Sequence, residues 1–328
     1  MLFGSSESAA DGGKTTPEIT CHASLDAALA AQVLHLADAC EKADGVSPLN
    51  EQAKLRLGEE AVADGVAHVT AELDDHLVGY AQLDSAVSDP QATAGASAQF
   101  MVSPKHRRRG IAWQLAAAVG FDIRDDAAPT ASERYRQGQR IAVWSFGHLP
   151  SAQQWAECYE VPAVRQLLIM SRPASEPIPE ASFPEGYTVR PFVEDDMEAF
   201  LDVNARAFAH HPEQGQMSVD DVRARMQEDW YDPQGFLVCE HQGTIVGFHW
   251  TKQHSPTRGE VYVIGVHPDF GARGLGRQLL HAGMTYLVEQ GVEEIILYVE
   301  GDQDHVVRLY QNSGFTITNT DVLYEPTR

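Results

Sequence analysis

Gly271, Gly274 and Gly276 bracket Arg273 in the segment VYVIGVHPDFGARGLG, Val261 to Gly276, and Arg277 follows at once. Residues of these types at this spacing can hold a phosphate. Backbone N–H groups converge on an anion only where no Cβ intervenes, and a helix opening at about Gly274 adds unpaired amides and the positive end of its dipole. Leu275, Leu279, Gly283 and Leu287 recur at intervals of four, so one face of that helix packs on a sheet and holds its N-terminus over the turn.

The same order of strand, proline, basic turn and amphipathic helix recurs in QFMVSPKHRRRGIAWQLAAAVG, Gln99 to Gly120, where Arg107, Gly110 and Ala112 take the loop positions. Gly110 and Gly274 stand 164 positions apart, half of the 328-residue length, which reads as a tandem duplication. Formal charge is −23, from 47 acidic and 24 basic side chains, and this argues against nonspecific affinity for nucleic acid or an anionic membrane. Against that background Lys105, Arg107, Arg108 and Arg109 form the densest basic cluster in the chain, and it falls on the first loop.

Stepping outward from the loops, helical sequence runs from Ser24 to Ala43 and resumes at Glu51 after a break at Asp44 to Leu49. Strands follow at about Ala67 to Leu73, Leu77 to Asp84 and Ala98 to Val102, then at Ile141 to Gly147, with a short helix in SAQQWAECYE and a closing strand in RQLLIMSRP. PASEPIPEASFPEG is proline-rich and acidic, and reads as a linker. The second half supplies a strand at Tyr187 to Pro191 and helices at Asp195 to Phe208 and Ser218 to Trp230. A hairpin over Phe236 to Glu240 and Ile245 to Lys252 turns near Gln242-Gly243, and strands follow at Glu260 to Val266 and Ile295 to Val299. A helix that Asp304 caps and Gly314 stops comes next, with a final pair of strands at Phe315 to Ile317 and Val322 to Tyr324. The division expected is a disordered leader over 1–15, a first domain over 16–172, the linker over 173–186 and a second domain over 187–328.

Strand, glycine-rich loop and helix, followed by a strand, a helix and LYQNSGF, resemble the GCN5-related N-acetyltransferase family, with its R/Q-x-x-G-x-G/A loop and LY-x-x-x-GF ending. The resemblance implies an α/β fold, an α+β mixed sheet, in two tandem domains. It also implies two parallel central strands that splay to admit the pantetheine arm of acetyl-CoA. Gly271 stands where the family carries Gln or Arg, and Gln303 where it carries Asn.

The site residues are what this resemblance implies, position by position. Glu260, the carboxylate of the strand before the loop, is expected as the base. Tyr310 is expected as the acid that protonates the leaving thiolate, and the N–H of Val266 as the donor that polarises the thioester carbonyl at a strand bulge. Acetyl-CoA contacts are expected at Ile264, Gly265 and Val266, at Gly271, Ala272, Arg273, Gly274, Leu275, Gly276 and Arg277, and at Gln303, Asp304, His305, Val306, Val307 and Arg308. A second set is expected at Phe100, Met101 and Val102 with Arg107, Arg108, Arg109, Gly110, Ile111 and Ala112. The first half offers only AGASAQ where Glu260 would fall, at Ala96, and Trp155 where Tyr310 would, so catalysis is expected in the second half alone.

NARAFAHHPEQG, GFHWTK and GEVYVIGVHP further resemble tandem members that acetylate the cysteinyl amine of cysteinyl-glucosaminyl-inositol, a thiol glycoside. That resemblance implies substrate contacts at Glu213, Lys252, Glu260 and Tyr298, with Glu51 from the first half. Two other readings remain: a tandem acetyltransferase of another small amine, and a nonenzymatic CoA-responsive binding module. No metal is expected, since Cys21, Cys40, Cys158 and Cys239 lack ligand spacing and the adjacent His210 and His211 point apart on a helix. Scattered cysteines, a polar N-terminus and no bilayer-length apolar stretch lead to the expectation of a soluble cytoplasmic protein without membrane or nucleic-acid partners. A monomer is expected, because a fused duplication already supplies the pairing that single-domain relatives obtain by dimerising.

Overall fold

The computed structural model describes residues 16–57, 65–85, 96–121, 141–209, 212–271 and 273–326. The leader, the polar stretch near Pro129 to Gln139, the His210–His211 pair and Ala272 lie outside the described residues. The chain divides into two compact units, Met1–Val164 with Leu323–Arg328, and Arg165–Val322.

The first unit contains β1 (Glu18–His22), α1 (Ala27–Asp44), α2 (Glu51–Leu55), β2 (Val66–Leu73), β3 (His76–Asp84), β4 (Ala96–Val102), α3 (Ile111–Ala118), β5 (Ile141–Ser145) and α4 (Pro150–Cys158). Asp26 caps α1 by accepting from Leu29 N–H at 2.7 Å, and Asn50 caps α2 by accepting from Ala53 N–H at 2.8 Å. Strand β1 was not read from the sequence: EITCH carries no apolar alternation, and its pairing with β2 along one side is what makes it a strand. Strands β1 to β4 run antiparallel in sequence order, and β5 lies parallel to β4.

The second unit holds most of β6 (Ala163–Pro173), then β7 (Tyr187–Pro191), α5 (Met197–Ala207), α6 (Pro212–Gly215), α7 (Val219–Met226), β8 (Phe236–His241), β9 (Thr244–Ser255), β10 (Arg258–Val266), α8 (Leu275–Glu289), β11 (Glu294–Glu300), α9 (Asp304–Gln311) and β12 (Thr316–Tyr324). Its strand order is β12-β6-β11-β10-β9-β8-β7. Positive φ at Gln242 (52°) and Gly243 (78°) turns the β8–β9 hairpin where the sequence placed it.

Four details differ from the reading of the sequence. RQLLIMSRP, read as closing the first half, pairs antiparallel with β11, because periodicity marks a strand without naming its partner. Residues 173–186 are held on the second unit: Ala174 N–H donates to Glu293 O at 2.8 Å, Arg172 donates to Glu176 O at 2.9 Å, and Ile178 and Phe183 pack against its core. The final pair of strands is the single strand β12, since Thr318 to Asp321 extend rather than turn. Asp304 is the first residue of α9, not its cap; Gln303 holds that position without a side-chain bond.

Candidate active site

In the second unit the parallel pairing of β10 with β11 runs from Arg258 and Glu294 to Val261 and Leu297, and stops there. Strand β10 continues to Val266 and β11 to Glu300, so the two strands part with their facing backbone edges unpaired by each other. On its other side β10 stays paired with β9, but the register slips between Val261 and Val263, which makes Tyr262 the extra residue of a bulge. The bulge was expected at Val266. Val266 instead pairs regularly with Gly247, and the added twist falls at the parting of the strands.

Strand alternation assigns faces to the candidate side chains. Val261 packs with Leu280, Met284 and Leu287 of α8, and Leu297, Val299 and Tyr310 join the same cluster. Glu260, one residue from Val261, therefore faces the other way, onto the side where Phe200, Val222 and Trp250 pack beneath α5 and α7. Lys252, directly opposite Glu260, shares its face, as does Tyr298, one residue past Leu297. Glu260 and Tyr310 thus approach the parting from opposite faces of the sheet. A ligand reached by both must pass between β10 and β11.

Glu260 is 6% exposed. Its Oε2 meets His254 Nε2 at 2.5 Å, and Oε1 has no protein partner among the described residues. Lys252 does not pair with it. Its Nζ lies 5.1 Å from the centre of the Trp230 ring and 5.6 Å from that of Tyr262, a cation–π seat in which the ammonium has no carboxylate partner among the described residues. Arg225 Nε donates to Tyr262 Oη at 2.9 Å and fixes that ring. Burial pushes the Tyr310 phenol well above the ordinary range, so it is protonated at neutral pH. Among the described residues no protein group bonds its hydroxyl.

Glu213 lies on α6, whose backbone is held by Asn204 of α5. That amide, buried outright, donates to Gln214 O at 2.5 Å and accepts from Gln214 Nε2 at 3.0 Å. Glu51 is the exposed first residue of α2 in the first unit.

Beyond Val266 a short 3-10 turn over Pro268–Phe270 leads through Gly274, at φ 75°, into α8. Gln278 N–H is the first in α8 to find a carbonyl, Gly274 O at 3.2 Å, and it leaves the amides of Leu275, Gly276 and Arg277 facing the loop. Arg273 donates to Tyr187 Oη at 2.5 Å and lies 5.1 Å from the Phe270 ring centre, while Arg277 is exposed and has no ion pair among the described residues. The N-terminal amides of α9 follow β11 after Gln303.

The first unit repeats this frame. Its β4–β5 pairing stops at Ala98 and Val143, and Gly110, at φ 78°, opens α3. Arg107 is committed elsewhere: its guanidinium forms a bidentate pair with Asp44 at 2.7 and 2.6 Å, and Nε donates to Val102 O at 3.1 Å. Lys105, Arg108 and Arg109 are the exposed cations left at that loop. No bulge interrupts β3–β4, so counting from Gly79–Val102 against Gly247–Val266 aligns Ser97, not Ala96, with Glu260. The N–H that closes α4, Val161 to Ala156 O at 2.9 Å, matches Phe315 to Tyr310 O at 3.1 Å, which aligns Ala156, not Trp155, with Tyr310. Neither position carries an acid or a base.

His254, Trp230, Tyr262, Arg225 and Asn204 were not singled out in the sequence. The signal for His254 was its place across a tight hairpin from Glu260; the rest depend on tertiary packing.

Two loop-and-helix frames, each at a parting of parallel strands, define an acyltransferase of the tandem type. The chain belongs to the acetyltransferase (GNAT) family, whose model matches residues 32–126 and 198–315. Its curated relatives are narrower in kind. It is 42% identical over 302 residues to the mycothiol acetyltransferase of Propionibacterium freudenreichii subsp. shermanii, covering 90% of this chain and 88% of that one. It is 40% identical to the mycothiol acetyltransferase of Catenulispora acidiphila, covering 90% and 94%. Among solved structures it is similar to a GCN5-related N-acetyltransferase from Sphaerobacter thermophilus (TM-score 0.70, 23% identity, 94% of this chain and 95% of that one). It is also similar to a tandem GNAT protein from the clavulanic acid biosynthesis pathway (TM-score 0.66, 16% identity, 94% and 98%), and both likenesses concern the fold.

Proposed function

We infer that this chain is an acetyl-CoA-dependent N-acetyltransferase of mycothiol biosynthesis, acting on the cysteinyl amine of cysteinyl-glucosaminyl-inositol. The observation that carries the chemistry is the parting of β10 from β11 at Val261 and Leu297, with Glu260 on one face and Tyr310 on the other.

Acetyl-CoA supplies an activated acyl carbon and a thiolate leaving group. The free amides of Leu275, Gly276 and Arg277 suit its diphosphate, with Arg277 as a nearby cation. The unpaired edge of Ile264 to Val266 suits the pantetheine amides, as a sheet edge suits an added strand. Glu260 takes the proton that the ammonium must lose before its nitrogen can attack, and Tyr310 gives a proton to the sulfur. Lys252, held over two rings, donates to sugar oxygens, and Glu213 accepts from hydroxyls. Catalysis belongs to the second unit, because Ser97 and Ala156 occupy the acid–base positions of the first. We further place the protein in the cytoplasm as a monomer; among the described residues no helix is long and apolar enough to cross a membrane.

The test is release of free thiol from acetyl-CoA with a panel of amines. The cysteinyl glycoside should be the preferred acceptor, and its product should carry acetyl on nitrogen. Preference for an unrelated amine would overturn the substrate assignment, and saturable acetyl-CoA binding without turnover of any amine would overturn the enzyme.

A further inference from the structure

At neutral pH the acceptor is an ammonium, so one turnover converts R–NH3+ and a thioester into an amide, a thiol and one free proton. The N–C bond forms and the C–S bond breaks. Of the two protons that leave nitrogen, one ends on sulfur and the other must reach water. Glu260, 6% exposed, gives that proton little direct access to solvent.

We propose that His254 is the outlet for that proton, a positioning residue that acts through Glu260. The proposal rests on the reading of Glu260 as the base. Two observations carry it. His254 Nε2 is the protein partner of the Glu260 carboxylate among the described residues, at 2.5 Å, while its own side chain is 30% exposed against 8% for that of Glu260. The imidazole therefore connects a buried oxygen to solvent. In addition, the β9–β10 register passes from Ser255–Arg258 to Gln253–Gly259, so His254 is the extra residue of a second bulge, one that turns its ring toward the carboxylate. Lys252, the residue directly across from Glu260, is occupied by the Trp230 and Tyr262 rings and leaves the carboxylate to the histidine.

The proton moves in three steps. Oε1, which has no protein partner among the described residues, takes it from the ammonium. At rest Nε2–H donates to the carboxylate; once Oε1 is protonated the imidazole exchanges through solvent to the tautomer with its hydrogen on Nδ1, and rotation of the carboxyl group presents the acid hydrogen to the freed Nε2. The resulting imidazolium gives the Nδ1 proton to water, which leaves Nε2–H donating to the carboxylate, the tautomer of the resting pair. Glu260 is again a carboxylate, ready for the next ammonium.

The experiment compares His254→Ala, His254→Gln and Glu260→Gln in the full chain, with kcat and both KM values read by thiol release and folding checked by thermal unfolding. Glutamine at 254 keeps a hydrogen bond to the carboxylate and cannot carry a proton. Both His254 variants should lose kcat by about 10²-fold with KM values little changed. Added imidazole should restore much of the loss in His254→Ala and none in Glu260→Gln. Full activity in His254→Gln, or a loss in His254→Ala that imidazole leaves untouched, overturns the outlet while Glu260 stands as the base. Full activity in Glu260→Gln overturns the reading of the base, and the outlet with it.

Discussion

Gly283 of α8 faces His249 of β9 so closely that a Cβ there would lie 2.8 Å from Cγ of the imidazole and nearer still to Nδ1 and Cε1. Ordinary carbon contacts need about 3.5–4.0 Å, so Gly283→Ala must separate helix from strand by roughly 1.5–2 Å or displace the ring. The ring has nowhere to go: it is buried outright, and its Nδ1 is bonded to Leu279 O at 2.8 Å. Overpacking of this kind destabilises by about 1–3 kcal/mol, and loss of the Leu279 bond adds about 1 kcal/mol. The expected fall in Tm is about 4–16 °C for a unit of this size. Because α8 carries the Leu275 to Arg277 amides at its N-terminus, the same shift should raise the KM for acetyl-CoA more than that for the acceptor. Thermal unfolding and steady-state kinetics on one preparation measure both effects. A variant with parental Tm and parental KM for acetyl-CoA would refute the argument that this glycine sets the distance from helix to sheet.

Tyr310→Phe should lower kcat by about 10²–10⁴-fold with little change in either KM, and in the parent any alkaline fall of kcat that reports this phenol should come above its ordinary value of 10.0, since burial raises it; a pH–rate series reads both. Lys252→Met should raise the KM for the cysteinyl glycoside by about tenfold or more through loss of a charge-assisted bond, while that for acetyl-CoA stays put. Burial pushes the His249 imidazole down from 6.5 to about 4. The unfolded chain therefore binds the extra proton between these values, and about 3 kcal/mol of stability, complete above pH 6.5, is lost as pH falls through about 4; urea unfolding over that range measures it.

The sequence disclosed what local rules govern. Glycine spacing gave both loops, four-residue periodicity gave α8, and the strands on either side of the second loop fell where alternation put them. Relations between elements were harder to read. RQLLIMSRP was legible as a strand, yet its pairing with β11 depends on which neighbour closes the sheet. Bulges escaped because one extra residue leaves no mark on an alternating pattern: Tyr262 and His254 are such residues, and the first also offset by one the comparison of β4 with β10. Arg107 read as a phosphate ligand from its place in a basic run. The carboxylate of Asp44, which claims it, is 63 residues away in sequence and next to it in space. Likewise the seat of Lys252 is built by Trp230 and Tyr262, from a loop and a bulge that no spacing rule links.

The most direct test of the account is acetylation of the cysteinyl glycoside by Glu260→Gln, measured as acetyl transferred to nitrogen per enzyme at saturating acetyl-CoA. If a buried carboxylate at the parting of β10 and β11 deprotonates the acceptor, this variant should bind acetyl-CoA as the parent does and turn over about 10²–10⁴-fold more slowly. Parental turnover by Glu260→Gln would contradict it.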